Sequence, residues 1–177
     1  MSMLPMLVKD HDELLTLNNN EMPIYKDIMV PGLDVQPQYV DVNRGIWVLR
    51  VMFHPGVRLP MHYHTGTVHL WTLSGKWNYV EYPDQPQTAG CYLFEPGGSI
   101  HTFNVPEDNT EVTDTLMLVE GANVNFDENF DENGQYHSML DANSITLLIE
   151  QYIQENGLEP ASYIKPSMPD YAKNIKG

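Results

Sequence analysis

Cysteine is nearly absent from this chain: Cys91 stands alone, so no internal disulfide can form. Met1 to Val8 lacks the basic start and long apolar core of a secretory signal. A reducing, cytoplasmic setting is therefore the expectation. Long hydrophobic runs are also missing, and none approaches the roughly 20 residues that span a bilayer. Basic residues are few, 9 Lys and Arg against 24 Asp and Glu, which leaves a net charge of −15. That balance argues against nucleic acid as a partner, because phosphate binding needs clustered cations. It argues equally against an anionic membrane surface. The simplest reading of the acidic surface is solubility. No nucleophile elbow, P-loop or dinucleotide fingerprint occurs.

At 177 residues the chain fits one domain whose core needs no disulfide staple. Residues 1–34 read as an N-terminal arm in which His11-Asp12-Glu13-Leu14-Leu15 can nucleate a short helix. Residues 35–138 read as a β-barrel of short strands separated by turn residues. Within it, Val68 to Leu73 and Lys76 to Tyr82 flank Ser74-Gly75 as a compact hairpin would. Asn125-Phe126-Asp127-Glu128 repeats at once as Asn129-Phe130-Asp131-Glu132 and runs into Asn133-Gly134. The repeat lacks the spacing of a calcium loop and reads better as an acidic hairpin. Residues 139–177 read as a C-terminal helix and an extended tail. Ile145, Leu148, Ile149, Tyr152 and Ile153 form one apolar stripe, with Asp141 or Asn143 to start the helix and Gly157 to end it.

The chemistry concentrates in the histidines. Gly56-Val57-Arg58-Leu59-Pro60-Met61-His62-Tyr63-His64 is a glycine, five residues, then His-x-His. Alternation along a strand puts His62 and His64 on one face. The stretch from Gly90 through Glu95-Pro96-Gly97-Gly98 to His101 reads G-x5-P-x-G-x2-H, a tight glycine turn that delivers a third histidine to a new strand. Three imidazoles on neighbouring strands can complete one face of a metal's coordination shell, suiting Fe(II), Ni(II), Cu(II) or Zn(II).

The two motifs resemble those of the cupin superfamily over residues 35–125. The resemblance implies an all-β, single-domain, double-sheet jelly-roll barrel, here with an N-terminal arm and one C-terminal helix, and a metal held by His62, His64 and His101. Where many cupins place a glutamate ligand shortly after His-x-His, this chain has His69. The string His62 to Tyr82, with Trp71, Trp77, Tyr79 and Glu81, is similar to cupin dioxygenases that split carbon–carbon bonds of ketones. So is Phe94-Glu95-Pro96-Gly97-Gly98-Ser99-Ile100-His101. These are the 2,4′-dihydroxyacetophenone dioxygenases and, more distantly, the acetylacetone-cleaving dioxygenases. That likeness implies non-haem Fe(II), with Zn, Ni or Mn as other occupants, and O2 and an enolisable ketone as substrates. It also implies a homodimer or homotetramer. A Zn- or Mn-dependent isomerase, decarboxylase or hydrolase, or a non-catalytic metal or ligand sensor, is the alternative.

Supporting roles divide between function and packing. Glu81 is a candidate fourth ligand or base, or else a strand-end surface carboxylate. Glu95 is placed to hydrogen-bond a ligand histidine and fix its tautomer, or to face water from a turn. His69 either lines the pocket or is a hydrogen-bonded core histidine. Trp71 and Tyr79 are candidates for an aromatic substrate wall, with core packing the simpler reading for Trp71. Arg58 shares parity with His62 and His64, so it either binds an anionic substrate group or serves a structural ion pair.

Overall fold

The computed structural model describes residues 16–126 and 136–158. The expected helix at His11–Leu15, the turn of the acidic repeat at Asn133-Gly134 and the tail beyond Leu158 lie outside the described residues. Twelve strands precede one helix: β1 Leu33–Asp41, β2 Ile46–Phe53, β3 His62–His64, β4 Val68–Ser74, β5 Lys76–Tyr79 and β6 Gln87–Thr88 come first. They continue as β7 Tyr92–Glu95, β8 Ile100–His101, β9 Phe103–Asn104, β10 Thr113–Glu120, β11 Asn123–Phe126 and β12 Tyr136–Leu140, followed by α1 Ala142–Asn156.

Every named strand pairing is antiparallel. One sheet runs β1-β2-β10-β4-β7, a second runs β12-β11-β3-β8, and a small third runs β6-β5-β9. Period-two patterning assigns the faces. On β2, Trp47, Leu49 and Val51 point inward, and on β4 it is Val68, Leu70 and Thr72. The core between the sheets is centred on Trp77, Phe53 and Phe103, with Trp77 stacked on Phe103 at 4.5 Å and Phe103 on Phe53 at 4.3 Å.

The helix forms where the sequence places it. Asp141 accepts from the Ser144 amide at 2.8 Å while the Ser144 hydroxyl accepts from the Asp141 amide at 2.6 Å, a reciprocal cap. Gly157 ends the helix at φ 61°, where a side chain would be strained. Ile145 and Ile149 are buried against the first sheet, and Tyr152 takes the Lys26 amide proton at 2.9 Å. No helix among the described residues is long and apolar enough to cross a membrane.

The expected hairpin at Ser74-Gly75 is corrected. β4 pairs with β10 and β7, and β5 pairs with β6 and β9, so the two strands on either side belong to different sheets. Gly75 is the corner where the chain changes sheets. Its φ is 76°, and a Cβ there would lie 2.6 Å from the Thr113 backbone. A sharp left-handed corner and a two-residue hairpin use the same residue types, so the sequence does not separate them.

Candidate metal centre

Strand β3 alternates His62 inward, Tyr63 outward, His64 inward. Strand β8 pairs with it so that His101 lies directly opposite His62. The three side chains are 5%, 7% and 2% exposed, and one ring nitrogen from each lies within 4.8 Å of the others. The His62 Nδ1 is 2.7 Å from the Pro60 carbonyl, so that nitrogen carries the proton and Nε2 is left free. The His101 Nε2 is buried with no hydrogen-bond partner.

Burial lowers the pKa of all three histidines. That of His64 falls to about 3, through desolvation first and then the neighbouring His62 and His101. The His101 pKa also falls to about 3, from desolvation and His62. Desolvation lowers that of His62 as well, opposed by Pro60 and Glu81. Neutral imidazoles with free lone pairs converging on one point are what a divalent metal requires, so the donor set fits one.

The sign of the pH dependence follows. Folding holds His64 and His101 neutral below their ordinary pKa of 6.5, so the unfolded chain binds more protons in acid. Stability present above pH 6.5 is lost as pH falls toward 3. Glu95 opposes this, because its raised pKa of about 7 stabilises the fold in acid and costs stability from pH 4.5 upward. Two groups outweigh one, so urea midpoints of the metal-free protein should fall between pH 6.5 and 4. A flat profile over that window would contradict the assignment.

Tyr79 and Glu95 stand beside the histidines. The Tyr79 hydroxyl donates to Glu95 Oε1, and its ring lies 4.2 Å from that of His101. Glu95 is 4% exposed, and its pKa is raised by desolvation although the Tyr79 hydrogen bond opposes the shift. Its Oε2 lies 3.3 Å from His101 Nε2 and 3.5 Å from His64 Nε2. Glu95 therefore does not face water from a turn.

Four other expected site residues lie away from this cluster. Glu81 follows the end of β5, is exposed, and accepts from the Thr102 amide at 2.8 Å and the Thr102 hydroxyl at 2.7 Å. With both oxygens committed there, it pins the strand carrying His101 and does not stand among the ligands. Glu81→Gln should leave metal stoichiometry unchanged in elemental analysis while lowering stability by about 1 kcal/mol.

His69 and Trp71 share a face, as the pattern implies, but it is the outer one. The chain leaves β3 for a different sheet before Val68, and on β4 His69 lies between the inward-facing Val68 and Leu70, so it points outward. His69 Nδ1 meets the Tyr92 hydroxyl at 2.7 Å, and Trp71, 40% exposed, packs on Tyr92 at 5.3 Å. Arg58 is exposed beside His54, Gly56 and Glu107, in a crevice separate from the histidines. Strand β3 begins only at His62, so alternation does not extend back to Arg58.

A cavity of about 400 Å³ reaches the cluster, walled chiefly by apolar residues including Leu49, Val51, Leu59 and Met117. His62, His64, Tyr79 and Glu95 supply polar groups at one part of it. Sequence reasoning missed Asn123 and Asn125, which face His64 and His62 across the β11–β3 pairing. They are 8% and 6% exposed, and Asn123 donates to Asn125, which donates to Ser138. Their signal was the alternating Asn123-Val124-Asn125-Phe126, obscured because Asn125 also opens the acidic repeat. His137 and Ser138 on β12 also line the cavity.

A family model described as the ChrR cupin-like domain matches residues 15–122, more than half of the chain. This chain is a cupin. A solved cupin from Ralstonia eutropha JMP134, described as a protein of unknown function with a cupin-like fold, is 43% identical with a TM-score of 0.79. The match covers 92% of this chain and 98% of that one. An acetylacetone dioxygenase from Acinetobacter johnsonii is 16% identical with a TM-score of 0.62, covering 78% of this cupin and 91% of that enzyme. A putative acetylacetone dioxygenase from Methylibium petroleiphilum PM1 is 12% identical with a TM-score of 0.66, covering 77% and 94%. These two show a shared fold. No curated protein matches significantly in sequence.

Proposed function

We propose that this cupin is a non-haem Fe(II) dioxygenase that cleaves a carbon–carbon bond of an enolisable, uncharged ketone with O2. The observation that carries the reading is the combination of three buried neutral histidines with an apolar cavity in which no lysine or arginine stands among the described lining residues. A substrate bearing a permanent anion would find no cationic side chain there. A neutral α-hydroxyketone or β-diketone fits, because its negative charge arises only when an α-proton is lost.

The cavity size lies within the range of small-molecule sites. When bound, the metal supplies Lewis acidity that lowers the pKa of a chelated ketone, and redox access to O2. His62, His64 and His101 hold it. Leu49, Val51, Leu59 and Met117 exclude water and pack against the substrate's carbon skeleton. Asn123 lines this region and carries a buried carboxamide oxygen without a partner, an acceptor suited to a substrate hydroxyl. Both atoms of O2 enter the two carbonyl or carboxylate products, so no outside reductant is needed. The likeness to acetylacetone dioxygenase supports the same substrate class.

The test is oxygen uptake by anaerobically reconstituted Fe(II) protein with 2,4′-dihydroxyacetophenone, acetylacetone and a panel of neutral enolisable ketones. Iron-dependent uptake matched by cleavage products is expected. No uptake with any of them from fully iron-loaded protein would sink the dioxygenase reading and favour a redox-neutral or sensing cupin.

A further inference from the structure

The carboxylate missing from the first histidine motif has a replacement on another strand. Val68 on β4 points into the barrel shortly after His-x-His, where it offers no donor atom. Its partner across the β4–β7 pairing is Glu95. On β7 the side chains of Tyr92 and Phe94 are exposed while Glu95 is buried, so the carboxylate enters the barrel opposite Val68.

We propose that Glu95 is a direct fourth metal ligand, binding through Oε2, so that the donor set is three imidazoles and one carboxylate contributed by β7. Two ligand atoms bound to one divalent ion at about 2.1 Å are about 3.0–3.4 Å apart when adjacent. Glu95 Oε2 lies 3.3 Å from His101 Nε2 and 3.5 Å from His64 Nε2. It lies outside the group formed by the three histidines alone, adjacent to two of them and farther from His62.

Hydrogen bonding gives the second argument. Oε1 is taken by the Tyr79 hydroxyl, whereas Oε2 is buried with no partner, as is His101 Nε2. An imidazole nitrogen that binds metal carries no proton. It therefore cannot donate to Oε2, and an outer role for Glu95 would leave that buried carboxyl oxygen without a partner. Such a group is expensive to bury. A metal between the three atoms satisfies all of them at once. Glu95 thus does not fix a histidine tautomer from behind, since its contacts are to Nε2 atoms that converge on it. Tyr79 is a positioning residue that holds Oε1 and makes the ligation monodentate.

The proposal rests on metal occupying the histidine cluster and not on the reaction assigned above. The test uses Co(II) as a spectroscopic probe, with metal content measured by elemental analysis. Wild-type protein should take up one Co(II) per chain. Glu95→Gln should fold, as judged by circular dichroism. It should bind Co(II) more than about a hundredfold more weakly, beyond the loss typical of an outer partner, with its visible d–d bands shifted by loss of the carboxylate. Added acetate or formate should restore the wild-type bands in Glu95→Ala. Tyr79→Phe should retain the wild-type bands. Wild-type bands in Glu95→Gln, with or without weaker affinity, would overturn the assignment, because an outer charge changes affinity without changing the ligand set. Failure of the wild-type protein to take up any metal would overturn this proposal and the functional reading together. Normal ligation without oxygen chemistry would overturn only the latter.

Discussion

His101→Ala should reduce metal content from one equivalent per chain to nearly none, and metal-dependent activity should vanish with it. The residue is 2% exposed, its Nε2 has no hydrogen-bond partner, and it is the histidine brought from a second strand to face His62. Without it, His62 and His64 remain on one short strand as a two-nitrogen site open on one side. Losing one of three imidazoles costs far more than the tenfold to roughly hundredfold typical of an outer partner. The alanine also empties space beside Tyr79, whose ring is 4.2 Å away, so stability should be checked separately. His101→Asn keeps a polar group of similar reach and serves as the second variant. Elemental analysis after loading and desalting decides the matter, and a full equivalent of metal in both folded variants would refute the ligand assignment.

Trp77→Ala should destabilise the protein by about 4 kcal/mol, a large share of the roughly 5–15 kcal/mol that holds a domain folded. Trp77 is fully buried, stacks on Phe103 at 4.5 Å and meets Tyr79 edge-on at 5.0 Å. Its indole N–H donates to the Thr72 hydroxyl at 2.9 Å, joining β5 to β4 across the corner at Gly75. Removing it takes away the buttress behind Tyr79, and through Tyr79 the support of Glu95. Metal affinity should therefore fall along with the melting temperature, which should drop by about 10 °C for a chain of this size. Calorimetry and a metal competition titration read the two effects. A melting temperature unchanged within a degree would contradict the placement of Trp77 at the core.

Much of this was legible in the sequence because it depends on local rules. The helix announced itself by a five-residue apolar stripe bounded by Asp141 and Gly157, and the structure uses both residues as caps. The pairing of His62 with His64 follows from strand alternation alone. What could not be read was set by changes of sheet. Parity is meaningful only within one strand, so it failed from His62 back to Arg58, which lies before β3 begins. Glu81 has the parity of the inward-facing Trp77 and Tyr79 but lies past the end of β5, where alternation no longer assigns a face. The adjacency of Val68 and Glu95, on which the fourth donor depends, is a cross-strand register that no single-strand pattern encodes.

Local consistency also explains why the cavity is apolar where its chemistry is polar. Much of the wall comes from the inward faces of β2 and β4, which read as core in sequence, whereas the polar groups come from the short strands β3, β5, β7, β11 and β12. A carboxylate ligand in this setting lowers the charge of a divalent centre from +2 to +1. That matches a substrate that arrives neutral and ionises once chelated.

The most direct measurement is an anomalous difference map from crystals of the metal-loaded protein, collected on either side of the metal's absorption edge. The expected result is one peak per chain about 2.0–2.2 Å from a ring nitrogen of each of His62, His64 and His101. A map with no peak inside the barrel, or with metal only at surface carboxylates, would contradict the central claim.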